Sequence, residues 1–188
     1  ELNLSTSTNL AGTSANTITV NNGGRLGMYQ SSSAHAWTLN LNTGSTLRGE
    51  NGGATQNVWA GPVNVAGEVT LLAENGHNLT ISGAIAGVGN LTKTGAGNAI
   101  LKGANTFTGT TTARVGTLTL DYSASNTSKL DDASALIFNA GAVSLAGGTH
   151  AEVVASTTLA DGSANSVSRA SGTALIHLNT ITVGAGST

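Results

Sequence analysis

GAIAGVGNLTKTGAGNAILKGANTFTGTTTARVGTLTL, residues 83–120, is the stretch on which the fold turns. It is built from short apolar or alternating runs, such as Ala99-Ile100-Leu101 and Thr117-Leu118-Thr119-Leu120, and each run stops near a glycine. An alternation of period two places successive side chains on opposite faces of an extended chain, and glycine permits the turns between runs. The same grammar extends outward in both directions. Upstream lie Thr17-Ile18-Thr19-Val20, Trp37-Thr38-Leu39-Asn40-Leu41, Val63-Asn64-Val65, Val69-Thr70-Leu71 and Leu79-Thr80-Ile81. Downstream lie Leu136-Ile137-Phe138, Val143-Ser144-Leu145, Leu175-Ile176-His177-Leu178 and Ile181-Thr182-Val183. The one segment that could start a helical turn, Asp131-Asp132-Ala133-Ser134-Ala135-Leu136, runs into Asn139 and Gly141. The chain reads as all-β.

Composition narrows the architecture. Charged residues are 9 % and aromatics 3 % of the 188 residues, against roughly 25 % charged in an ordinary globular domain. Disorder is disfavoured, because 39 % of the chain is hydrophobic and the formal charge is only −2, whereas disordered chains combine low hydrophobicity with high net charge. Many short strands with glycine punctuation and no linker favour a solenoid, in which each coil stacks on the next and small aliphatic residues suffice for a thin core. Trp37 and Trp59 stand 22 residues apart, a spacing within the roughly 20 to 30 residues of many solenoid repeats. The expected fold class is therefore a parallel β-helix, or β-solenoid, forming one section over residues 1–188 and reading as a piece of a longer secreted protein.

Residues 83–120 closely resemble the autotransporter-associated β-strand repeat, whose usual wording is LTKxGxGxLxLxGxNxYxGxT followed by a GTLxL strand. The residues carrying the match are Leu91, Thr92, Lys93, Gly95, Gly97, Gly103, Asn105, Gly109 and Thr111, then Gly116 to Leu120, with Phe107 where the repeat often has tyrosine. Residues 169–186 give a weaker echo, similar to the LxLNxITRxxG strands of the same class, with Val183 in place of the arginine. The resemblance implies a right-handed parallel β-helix exported across an outer membrane and displayed or released as a rigid stalk, hence a secreted or bacterial cell-surface location. Gly95, Gly97, Gly103, Asn105, Gly109 and Gly116 are then structural repeat positions. Glycine allows positive φ at coil corners, and the Asn105 amide can satisfy backbone groups in a bend. Lys93 and Lys102 are expected to point to solvent, where a charge keeps strands from pairing with other chains.

Catalytic patterns were weighed against this structural reading. Glycoside hydrolysis normally needs two carboxylates roughly 5 to 9.5 Å apart; Asp131 and Asp132 are the one adjacent acid pair, with Asp121 the nearest third acid. His35, His77, His150 and His177 are isolated, no H-E-x-x-H or G-x-S-x-G pattern occurs, and serines show no paired histidine in the sequence. No cofactor and no metal site is expected, the chain has no cysteine, and the reading is non-catalytic. Seven scattered Lys and Arg residues give no basic stripe for nucleic acid, and no apolar run is long enough to span a bilayer.

Three functions stay on the table: a structural stalk or display segment, preferred; a carbohydrate-binding adhesin surface; and a glycan-degrading enzyme. Trp37 and Trp59, with Tyr29 and Tyr122, would stack on sugar rings if exposed. The expected partners are surface glycans or other surface proteins, with end-to-end self-association through unpaired strand edges. Thr-x-Thr pairs at Thr17/Thr19, Thr92/Thr94, Thr106/Thr108 and Thr117/Thr119 are the pattern of an ice-binding solenoid. Their spacing is uneven, 14 residues from Thr92 to Thr106 and 11 from Thr106 to Thr117, and a flat array is taken to require one constant coil length.

Overall fold

The structure, a computed structural model, describes residues 1–5, 16–51 and 56–188. Among them every named strand pairs in parallel and there is no helix, so the chain is an all-β solenoid. Each coil visits a nine-stranded sheet that runs the length of the molecule, then a six-stranded sheet, then a third side. The third side begins as a four-stranded sheet, including Thr38–Leu41 and Val63–Val65, and ends as the pair Ala151–Val153 and Leu175–His177. Between these, residues 102–110 and 122–134 close the third side without strands.

The alternation read from the sequence becomes a set of axial ladders. In the strand Ser45–Glu50 burial alternates residue by residue. One inward column of the long sheet runs Leu26, Leu47, Leu71, Lys93, Ala113, Phe138 and Leu159, with Val183 continuing its register as an exposed end rung. In the six-stranded sheet the matching column is Trp59, Ile81, Leu101, Leu120 and Leu145, followed in register by the exposed Arg169. Each large aliphatic side chain so buried contributes roughly 1.5 to 3 kcal/mol, which is how a chain poor in aromatics acquires a continuous core. Neighbouring rungs compensate in size, since Ala113 stands between the long Lys93 and the bulky Phe138.

The coils are not of constant length. Lys93 to Ala113 is 20 residues and Ala113 to Phe138 is 25, and the corners absorb the difference. The tryptophan spacing therefore matches the coil size without marking equivalent positions. Trp59 is bridged to His35 on one side and pairs with Ile81 on the other, whereas Gly61 is the residue stacked against the Trp37 carbonyl. Uneven spacing also does not prevent threonines from aligning. Thr46, Thr70, Thr92, Thr112, Thr158 and Thr182 share one outward column, interrupted by Ile137. The adjoining column reads Gly27, Arg48, Leu72 and Thr94, so no double row of threonines forms.

The repeat glycines sit where consecutive coils touch. A Cβ on Gly97, Gly103 or Gly109 would come within 2.0 to 2.2 Å of a carbonyl oxygen of the preceding coil, while Gly95 and Gly116 have φ of +79° and +70°. Asn105 spans three coils: its Oδ1 accepts from the Ile85 amide at 3.0 Å and its Nδ2 donates to the Lys129 carbonyl at 3.1 Å. Positive φ is thus found at Gly95 and Gly116, whereas Gly97, Gly103 and Gly109 lack it and are instead required by the close approach of the preceding coil.

Candidate functional site

Lys93 departs from expectation. It is buried, at 1 % exposure, in the aliphatic column rather than facing solvent. Alternation from Leu91 puts Lys93 on the inward face, and the small Ala113 above it leaves room for the stem. Its Nζ donates to the carbonyls of Thr94 at 3.0 Å, Gly95 at 2.6 Å and Val115 at 3.0 Å, tying two successive corners together. Burial pushes its pKa down from 10.5 to about 8. Lys102 does reach the surface, where it pairs with Asp121 of the next coil at 3.2 Å.

A pH prediction follows from Lys93. Between pH 8 and 10.5 the unfolded chain binds the lysine proton more tightly than the folded chain, so stability rises with pH across that window. In urea titrations at pH 7.5 and pH 10, the native chain should gain on Lys93→Met by up to about 3 kcal/mol, at roughly 1.4 kcal/mol per pKa unit. Parallel profiles for the two proteins would refute the assignment.

A second buried polar cluster joins the corner 122–134 to its neighbours. The Glu152 carboxylate, fully buried, accepts from the Tyr122 hydroxyl at 2.6 Å, the Lys129 amide at 2.9 and 3.1 Å, and the Leu130 amide at 2.8 Å. The Lys129 ammonium donates to the carbonyls of Lys102, Gly103 and Ser125 at 3.2, 3.0 and 2.8 Å, and lies 5.3 Å from the centre of the Tyr122 ring. Burial lowers the Lys129 pKa against the opposing pull of Glu152 and Asp121. Burial and then the Glu152 charge raise that of the Tyr122 hydroxyl. His150 stands beside the cluster, 3.1 Å from the Ser128 hydroxyl and 4.0 Å from Glu152. The contacts of Glu152 and Lys129 hold backbone groups or shield a charge, so the arrangement is suited to fastening coils.

The histidine and acid readings are revised in part. Ser31 Oγ lies 2.8 Å from His35 Nε2, a serine–histidine pair that the sequence did not reveal. Both residues are buried, and among the described residues His35 Nδ1 has no hydrogen-bond partner, so no described carboxylate orients the ring. Burial lowers the His35 pKa. His77 closes a turn with its amide on the Glu74 carbonyl at 3.0 Å. Asp131 and Asp132 lie in a turn and, with Asn105, Thr106, Ser128 and Leu130, line a cleft of about 380 Å³. Asp131 accepts from the Ala133 amide at 3.3 Å, and Asp132 accepts from the Ser128 hydroxyl at 3.3 Å.

The aromatic residues considered for ligand stacking divide sharply. Trp59 is wholly buried, packed on the His35 ring at 5.7 Å between centroids, and cannot meet a sugar. Its position in an inward column is the reason. Trp37 is half-buried against the same core, and Tyr122 belongs to the Glu152 cluster. Tyr29 is the exposed one, at 43 %.

Tyr29 overlooks a polar cleft of about 300 Å³ at the edge of the long sheet. Arg48 at its centre pairs with Glu1 at 3.0 Å, Glu50 at 3.0 Å and Glu74 at 2.8 Å. Burial works against the guanidinium charge, but the hydrogen bonds to Glu74 and Glu1 outweigh it and raise its pKa. The strand alternation that spaces these residues was legible; their convergence depends on register between coils 21 to 26 residues apart.

No protein family, no curated protein and no solved structure matches this chain.

Proposed function

We propose that this chain is a non-catalytic spacer, a stiff section of a secreted or surface-displayed passenger of the autotransporter type, as the resemblance of residues 83–120 implies. The observation that carries the reading is where the polar chemistry goes. Lys93, Lys129, Glu152 and Asn105 direct their hydrogen bonds to backbone groups of their own and adjacent coils. Solenoid stability is a sum of coil and interface terms, and cross-coil bonds of this kind strengthen the interface terms. The outermost strands support axial association, coil on coil, as the self-contact: Leu2 at one end and Val167, Leu175, Ile181 and Val183 at the other are exposed, beside strands with one edge unpaired among the described residues.

A length measurement tests the spacer role. Nine strands in the long sheet set eight steps of roughly 4.8 Å, a rise of about 38 Å. With donor and acceptor dyes at residues 3 and 182, single-molecule energy transfer should give one narrow distance near that rise, unchanged when further coils are fused to either end. A broad distribution, or one that shortens on fusion, would reject a stiff spacer.

A further inference from the structure

The Tyr29 cleft differs from the other hollows of the molecule. The hollow lined by Phe138, Leu159 and Leu178 is apolar and lies over the ends of the inward columns, and the Asp131 cleft has no aromatic wall. At Tyr29, an exposed ring stands in register with Glu50 of the next coil, and the Glu74 amide bonds the carbonyl of Gly49 one coil further on. Tyr29, Glu50 and Glu74 therefore form a row along the solenoid axis, with one rung per roughly 4.8 Å. The Asn51 amide donates to the Tyr29 hydroxyl at 3.0 Å and steadies the ring. Glu50 and Glu74 line the cleft with Asn75 and His77 and share the single guanidinium of Arg48 with Glu1 beside it, so with His77 neutral the cleft carries an excess of formal negative charge. Glu74 is the most open of the three, its side chain 39 % exposed.

We infer that this cleft binds a glycan bearing free amino groups. Such a chain offers hydroxyls to the Glu and Asn side chains, a flat pyranose face to the Tyr29 ring, and ammonium groups to the unneutralised carboxylates. An ammonium is also drawn to the negative face of a tyrosine ring. The axial row suits a linear oligomer, and acidic glycans are repelled by the same carboxylates. This site is additional to the spacer role, which the length measurement tests separately.

Calorimetric titration of the full chain with glucosamine oligomers, their fully N-acetylated counterparts and a uronic acid oligomer decides the matter. The glucosamine oligomer should bind, and acetylation should weaken it. Tyr29→Leu, which keeps bulk but removes the ring, should cost about three- to tenfold in affinity. Glu74→Gln should cost a similar factor while leaving Arg48 paired with Glu1 and Glu50. Thermal unfolding of both variants should match the native chain, which separates lost binding from lost folding. No binding at millimolar ligand, equal binding of the acetylated or acidic oligomers, or unchanged affinity in folded Tyr29→Leu would each overturn the inference.

Discussion

Glu152→Ala should destabilise the chain by about 3 to 5 kcal/mol, the usual cost of stripping one partner from a buried charged network. The alanine leaves the Lys129 and Leu130 amides and the Tyr122 hydroxyl without their acceptor. It also removes the carboxylate that favours the buried Lys129 cation. Because Lys129 in turn reaches the carbonyls of Lys102 and Gly103, the loss spreads over three coils. Glu152→Gln, which keeps one acceptor oxygen and the shape, should cost clearly less. Urea unfolding followed by circular dichroism compares the two. A loss under about 1 kcal/mol for alanine would mean that the cluster is not a fastening.

Trp59→Ala should cost a comparable 3 to 5 kcal/mol, the range of roughly that size seen for large aromatic side chains removed from cores. Trp59 fills its column between His35 and Ile81; Ile81 is held by its pairing with Leu101 and His35 by the Ser31 hydroxyl, so neither is free to collapse into the space. Trp37→Ala, at a half-buried position, should cost less than half as much. Thermal unfolding of the two single variants checks the ordering. Equal effects would mean that Trp59 is not the core residue it is taken to be, and a selective loss of sugar binding in folded Trp59→Ala would place its ring at the surface.

The same residues show how far the fold could be read without coordinates. Strand positions, glycine corners and the bridging amide of Asn105 follow from local chemistry: alternation, positive φ and a side chain that mimics the backbone. Lys93 faces inward, against the solvent position that its charge suggests, because the alternation of Leu91, Thr92 and Lys93 puts the lysine inside. The burial is tolerated because three carbonyls receive the ammonium, and their convergence on one Nζ depends on how the corners at Gly95 and Gly116 stack, which the spacing of the repeat does not show. Ser31 with His35 is a local pair, yet its burial depends on Asn57, whose side chain meets the Ser31 amide across 26 residues. The Glu152 cluster has no local signal, since Tyr122 lies 30 residues and Lys129 23 residues away. Tyr29 could be named as a stacking aromatic, but not chosen over the tryptophans until the register showed which rings face outward.

The register itself is the most direct test of the account. In a nuclear Overhauser spectrum of the folded chain, Lys93 backbone protons should show cross-peaks to Leu71 and to Ala113, its partners in the flanking coils. Cross-peaks from Lys93 to both would place its side chain in the aliphatic column and the glycines at the coil contacts. Their absence, or cross-peaks from Lys93 to residues on an antiparallel neighbour, would contradict the stacked parallel coils on which both the spacer role and the Tyr29 cleft depend.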